Sequence, residues 1–154
     1  MKKAELILAN FDARIPKIEI KPKNTDSKVV FSSKMYEEEN GEKISVKIHF
    51  SNVAAIDFRI NLFDCMIGAE AFGLYCIRDK GFIESITRGT FYRRKEVFLL
   101  EGDYNYDEDD EHDMLNCFDV LGDFSKNIDD YAAFVQNVEG GEYIIIAKQV
   151  RVER

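Results

Sequence analysis

Several residue types and patterns are scarce in this 154-residue chain, and each scarcity excludes a class of protein. Tryptophan is missing, proline occurs only twice, and no run of about eighteen apolar residues exists that could form a membrane-spanning helix. The apolar run at residues 6–9 is interrupted by Asn10 and Asp12, which makes it too short for the core of a secretory signal peptide. The sequence therefore predicts a chain with neither a membrane span nor a signal peptide.

Cysteines and catalytic motifs are also scarce. The three cysteines, Cys65, Cys76 and Cys117, lie far apart, so they form no CxxC pair and no even-numbered disulfide framework. Unpaired thiols are typical of the reducing cytoplasm, where we expect the protein to act. The motifs GxSxG and HExxH are missing, as is a glycine loop that could hold phosphate. The sequence therefore predicts neither an enzyme nor a bound cofactor.

The abundant residues predict one folded domain, residues 1–154, that is rich in β-structure. Hydrophobic residues make up 45% of the chain and charged residues 32%, which is typical of globular proteins that bury a sizeable core. Alternation of apolar and polar residues predicts most of the strands. The predicted strands are 28–35, 43–50, 56–62, 72–77, 82–87, 91–100, 131–138 and 142–152.

Turn residues separate several of these strands. Asn40-Gly41 predicts a turn before the strand 43–50, and Ser51-Asn52 predicts a break after it. Glu139-Gly140-Gly141 predicts a hairpin between the last two strands. The run YIIIA, residues 143–147, is continuously apolar, which is typical of a strand that is buried on both faces.

Helical patterns are fewer. Residues 3–11 fit either a short helix or a first strand, and residues 113–121 place apolar side chains at helical spacing after a possible N-cap, Asp113. The predicted fold class is therefore α+β and mainly antiparallel β, either a sandwich or a partly open barrel, with one or two short helices.

Negative charge is concentrated in residues 101–130, which we call the acidic segment. It holds twelve of the 29 acidic residues and one of the 21 basic residues, a net charge of −11. The rest of the chain has 17 acidic and 20 basic residues, a net charge of +3. Such a field repels nucleic acid and attracts cationic partners.

Metal and thiol chemistry fit the acidic segment poorly. An EF-hand loop needs glycine at its sixth position and glutamate at its twelfth, and registers that start at Asp103 or Asp107 have neither. We therefore predict no metal site. His112, Asp113 and Cys117 bring an imidazole, an acid and a thiol close in sequence, but the surrounding negative charge disfavours the thiolate that a nucleophilic cysteine needs.

The acidic segment also carries aromatic residues, and this mixture is typical of a protein-binding surface. Charges steer a basic partner, and buried aromatic side chains supply much of the binding energy. The predicted partner-binding residues are Tyr104, Tyr106, Asp107, Glu108, Asp109, Asp110, Glu111 and Asp113. Two alternatives remain open: a solvated loop, and a cleft of carboxylates in a hydrolase or other small-molecule enzyme.

Two features outside the acidic segment bear on binding. Arg88 and residues 93–95 form a basic patch that could contact nucleic acid, pair with the acidic segment, or protect a sheet edge. His49 falls on the polar side of its predicted strand and is expected to be a solvated side chain. An exposed sheet edge could also form a homodimer.

Two stretches resemble small immunity-type proteins of bacterial polymorphic-toxin systems. IHFSNVAAIDFR, residues 48–59, is similar to their two-strand element with a central turn, and DYAAFVQNVEGGEYIIIAKQVRV, residues 130–152, resembles their closing hairpin. The resemblance implies a cytoplasmic protein without enzymatic activity that binds and neutralises a toxin domain. The acidic segment fits a basic toxin, such as a nuclease, as the partner.

Overall fold

The structure is a computed structural model that describes residues 3–9, 13–23, 26–37, 39–60, 70–102 and 124–154. These residues contain seven strands, one long helix, the helical residues 124–126 and one short 3-10 helix. The strands are β1 (Ala4–Leu8), β2 (Ala13–Lys21), β3 (Lys28–Tyr36), β4 (Lys43–Ile60), β5 (Glu70–Ile77), β6 (Ala132–Val138) and β7 (Gly141–Glu153). The helix α1 is Lys80–Gly102, and the 3-10 helix is Ile128–Asp130.

The strands form one antiparallel sheet that curls round on itself. Neighbouring strands pair in the order β2–β3–β4–β7–β6–β5. β1 pairs with the edge of β5 that also meets β2, so β1 and β2 lie end to end. Because Ala13 and Arg14 pair with Ala71 and Glu70, β2 and β5 meet through two residue pairs. The predicted fold class is confirmed: the fold is α+β, mainly antiparallel, and of the partly open barrel kind.

Apolar side chains are buried on both faces of this sheet, and β7 shows the pattern most clearly. Tyr143, Ile145 and Ala147 belong to the cluster inside the curled sheet, whereas Ile144 and Ile146 belong to a second cluster that includes side chains of α1. All five side chains are buried, as the apolar run predicted. Each face of β7 therefore needs its own covering layer.

The segment after β5 is a helix, although the sequence predicted strands at 82–87 and 91–100. The prediction was wrong because β-branched and aromatic residues, which favour strands, are frequent here. α1 begins just after Asp79, whose carboxylate accepts an amide N–H of the first turn at 2.6 Å, as an N-cap does. Ile83 and Ile86, three positions apart, are buried in the second cluster. This burial outweighs the local preference for a strand.

The other predicted helical segments have different outcomes. The strand alternative for residues 3–11 is the one observed, as β1, and residues 113–121 lie outside the described residues. α1 has 23 residues, so it is longer than the short helices that the sequence predicted. No helix in the described part of the chain is long and apolar enough to cross a membrane.

β4 continues through Ser51 and Asn52, where the sequence predicted a break. Asn52 bends the strand instead, because its φ of 53° lies in the left-handed region. Its N–H donates to the Asp26 carboxylate at 3.0 Å. The pairing with β7 then shifts between Val53 and Ala55, which marks a bulge. Ile48 and Phe50 before the bend and Ile56 after the bulge all pack in the cluster inside the curled sheet, so the same side of β4 faces the interior on both sides of the irregularity.

Asn52→Val is expected to lower the free energy of unfolding by about 1–2 kcal/mol, because a β-branched side chain is strained at a positive φ. Asn52→Gly is the matched control, and it should change stability much less because glycine adopts this φ without strain. Urea denaturation at neutral pH measures both variants. Equal losses would show that the asparagine side chain, and not the backbone conformation, is what the bend requires.

Candidate functional site

The predicted partner-binding residues lie outside the described part of the chain. All eight fall within residues 103–123, as do His112 and Cys117. The structure describes the chain up to Gly102, the last residue of α1, and again from Phe124 onward. The structure therefore shows only the two flanks of the acidic segment, residues 101–102 and 124–130. The role of the residues between them stays a prediction.

Both flanks attach to the helical side of the sheet. Asp129 pairs with Lys80 at 2.7 Å, and Asp130 lies 3.4 Å from Lys148 of β7. Lys80 is the first residue of α1 and Gly102 is the last. One flank of the acidic segment therefore continues directly from the end of α1, and the other flank contacts its beginning, about 35 Å away. Two of the twelve acidic side chains in the segment are thus paired with lysines of the same molecule, in exposed contacts that contribute little stability.

A buried carboxylate ties α1 to β4. Asp57 of β4 has 3% of its side chain exposed, and its Oδ2 atom accepts hydrogen bonds from Arg59 Nη2 at 2.8 Å and Arg59 Nε at 3.1 Å. Arg93 Nη2 of α1 lies 3.2 Å from the same oxygen. Arg59 Nη1 also lies 3.8 Å from Glu142 on β7. We call Asp57, Arg59 and Arg93 the arginine cluster.

Asp57 and Arg59 both stay ionised at neutral pH. Burial alone would raise the pKa of Asp57, but hydrogen bonds from Arg59 and Arg93 outweigh it and hold the pKa below its usual value. The same contact with Asp57 raises the pKa of Arg59. Asp57 is therefore unsuited to donate a proton as a general acid. Both arginine side chains remain more than half exposed, so the cluster orients two guanidinium groups at the surface.

The two arginines of the basic patch whose side chains are described, Arg88 and Arg93, both pair with carboxylates. Arg93 pairs with Asp57 of β4, and Arg88 pairs with Glu84 one turn earlier on α1 at 3.0 Å. Neither contact involves the acidic segment. The side chains of residues 94–95 lie outside the description. Sequence reasoning missed Asp57, because strand alternation indicated a solvated polar face and gave no sign that a helix covers it.

His49 is not the solvated side chain that the sequence predicted. Its Nε2 atom lies 2.7 Å from Glu153 Oε2 across the β4–β7 pairing, and its side chain is 24% exposed. The hydrogen bond from His49 lowers the pKa of Glu153. Arg151 lies 3.7 Å from the same carboxylate. These three side chains form a small polar network on the outside of the sheet.

Cys76 is a core residue. It belongs to the cluster inside the curled sheet, and burial raises the pKa of its thiol, which disfavours a nucleophilic thiolate. Cys65 and Cys117 lie outside the described residues. Among the residues that are described, no three His, Cys, Asp or Glu side chains are grouped so that they could hold a metal ion.

Comparison with protein-family models, curated proteins and solved structures found no match. The resemblance to immunity-type proteins therefore remains a prediction from residues 48–59 and 130–152. In the structure these residues are the central part of β4 and the β6–β7 hairpin, which pair with each other through β7. The two stretches that carry the resemblance thus form one continuous part of the sheet.

Asp57→Asn is expected to lower the free energy of unfolding at pH 7 by about 1–3 kcal/mol, because the charge-assisted contacts with Arg59 and Arg93 become weaker. The pKa of Asp57 is lower in the folded protein, so its stabilisation is complete above the unfolded pKa of about 4 and is lost as the pH falls through the folded pKa. The difference between wild type and variant should therefore shrink at acidic pH.

Urea denaturation at pH 7, 5, 4 and 3 measures this difference. Glu5→Gln, which changes an exposed carboxyl on β1, is the control and should leave stability nearly unchanged. A deficit in Asp57→Asn that stays constant down to the lowest pH would assign its cause to packing and not to charge.

Proposed function

We propose that this chain is a small interaction protein of the inhibitor or immunity type. Its acidic segment, residues 101–130, binds and neutralises a basic protein domain such as a nuclease toxin. The observation that carries the proposal is the charge distribution, −11 in this segment against +3 in the rest of the chain. A field of one sign that is confined to one segment raises the association rate with a partner of opposite sign.

Local ion pairing in the described residues supports this proposal. Arg59 and Arg93 pair with Asp57, and Arg88 pairs with Glu84, so these arginines are compensated by carboxylates outside the acidic segment. Of the acidic side chains that belong to the segment and are described, Asp129 and Asp130 pair with lysines. Each of these three arginines thus has a carboxylate partner outside residues 101–130.

The chemistry of the partner follows from the composition of the segment. A nuclease presents a basic groove that is shaped for phosphate groups, and consecutive carboxylates can occupy such a groove in place of phosphates. Tyr104 and Tyr106 would then supply apolar contact area with a polar tip, which is typical of residues that dominate binding energy. Asp107 to Asp110 would steer the approach of the partner.

A capture experiment with matched charge variants tests the proposal. The test variant neutralises four charges within the segment: Asp107→Asn, Glu108→Gln, Asp109→Asn and Asp110→Asn. The control neutralises four charges elsewhere: Glu5→Gln, Glu42→Gln, Glu84→Gln and Glu139→Gln. Each immobilised chain is incubated at low salt with lysate of the source organism, and retained proteins are identified by mass spectrometry.

We expect one basic protein to be retained by the intact chain and by the control, to be released by salt, and to be lost with the test variant. Retention of the same protein by all three chains would contradict the proposal. If no basic protein is retained and a small-molecule screen detects turnover that the test variant lacks, the alternative of a carboxylate-dependent hydrolase replaces it.

Tyr104→Ala is expected to weaken binding of the captured partner by about 2 kcal/mol, roughly thirtyfold, because aromatic anchors contribute most of the binding energy at an interface. Asp109→Asn, as a rim substitution, should cost less than about 1 kcal/mol and act mainly on the association rate. Isothermal titration calorimetry and stopped-flow fluorescence separate the two effects. Equal and negligible effects would refute the assignment of Tyr104 as an anchor.

A further inference from the structure

The wall of the curled sheet has a gap between β1 and β3. β1 and β2 lie end to end along the same edge of β5. β3 pairs with the other edge of β2, so the end of β3 that extends beyond β2 faces β1. The pairing of β2 with β3 ends at Arg14 and Lys34. Beyond that point Met35 and Tyr36 pair with β4, and β1 pairs with β5. In the described structure, therefore, two strand edges face each other without pairing.

A cavity of about 280 Å³ lies at this gap. Leu8 and Met35 form a buried floor, with exposed fractions of 6% and 3%, and Ile7 and Ile44 extend the apolar lining. The volume is close to the lower limit of roughly 300 Å³ for ligand pockets. The cavity is suited to a few side chains of a partner rather than to a large cofactor.

The backbone at the edge of the gap can also form hydrogen bonds. In an antiparallel ladder, alternate residues direct their N–H and C=O groups toward one neighbour and the remaining residues direct theirs to the opposite side. β1 uses one side for β5, from Ala4 to Leu8, so its other groups are directed away from β5. Such an edge is a template for pairing with an added strand.

The rim of the cavity favours a cationic occupant. Glu37, Glu39 and Arg154 line it, so two carboxylates face one guanidinium group. Glu37 is held in place, because its Oε1 atom lies 3.5 Å from Arg154 Nη1 and its Oε2 atom accepts a hydrogen bond from Asn40 Nδ2 at 3.1 Å. The surplus carboxylate at the rim is complementary to lysine or arginine.

We propose that the gap between β1 and β3 binds an extended peptide segment of another protein as an added strand. The segment carries an aliphatic side chain for the apolar floor and a lysine or arginine for the rim. Main-chain hydrogen bonds to the strand edge and the negative rim together select such a segment. The proposal is independent of the function proposed for the acidic segment, because the described residues that line the cavity do not belong to residues 101–130.

A model peptide tests this binding mode on the full chain. The probe is acetyl-Lys-Val-Lys-Val-Lys-amide, and its control carries N-methyl groups on both valines, which keeps the charge but removes two backbone donors. Amide chemical shifts of the isotopically labelled protein are recorded by NMR during titration. We expect saturable shifts at Ile7–Ala9 and Met35–Glu37, with binding about tenfold weaker for the N-methylated peptide.

Equal binding of both peptides would overturn the proposal, because it would show attachment by charge alone and not by main-chain hydrogen bonds. Shifts confined to residues outside β1 and β3 would overturn it too. Shifts of β1 amides that depend on protein concentration without any peptide would identify a second copy of the chain as the occupant and would also overturn it.

The rim is tested with paired substitutions. Glu37→Gln with Glu39→Gln removes both rim carboxylates and is expected to weaken binding of the unmodified peptide several-fold. Glu84→Gln with Glu139→Gln removes the same charge from other surfaces and should leave the affinity unchanged. Equal weakening in both double variants would assign the effect to net charge and refute the role of the rim.

Discussion

Burial of five consecutive apolar residues on one strand is the constraint on which the rest of this structure depends. Side chains alternate between the two faces of a strand, so the run from Tyr143 to Ala147 cannot be covered by a single layer. The curled sheet covers one face, and α1 with the 3-10 helix covers the other. Burial of this kind yields about 25 cal/mol per Å² of apolar surface, which favours any arrangement that supplies both layers.

The position of α1 follows from this requirement and decides what the outer surface presents. Ile83 and Ile86 bring the first half of the helix onto β6 and β7, and the contact of Arg93 with Asp57 brings the second half onto β4. Going round the sheet, β6 and β7 are the strands farthest from the gap between β1 and β3, whereas β4 pairs with β3. The first half of α1 and the gap therefore lie on opposite sides of the sheet. The flanks of the acidic segment attach to the helical side, through Asp129 and Lys80 at one end.

These two sides differ in the kind of recognition they favour. The acidic segment carries a field that acts over about one Debye length, roughly 10 Å at moderate salt, and a field of this range is suited to guide the approach of a charged partner. The gap offers backbone groups and a small apolar floor, which act only in direct contact. The two proposals therefore rest on different observations, the charge of residues 101–130 and the geometry of β1 and β3.

The sequence by itself determined strands β3, β5, β6 and β7, the turns at Gly41 and Gly140, the two-sided burial of residues 143–147 and the concentration of acidic charge, but it gave no sign of β2. Each of these features depends on residues that are close together in the sequence. At the two turns, for example, glycine permits the positive φ values of 67° at Gly41 and 86° at Gly140. Only the tertiary structure decided that residues 80–102 form a helix, that Asp57 is buried between two arginines, and that β1 and β3 leave a gap. Local periodicity reports one face of one element, whereas the burial of Asp57 depends on Arg93, which lies 36 positions later in the chain. Contacts of this length are set by how the layers pack, and no pattern within a single strand contains them.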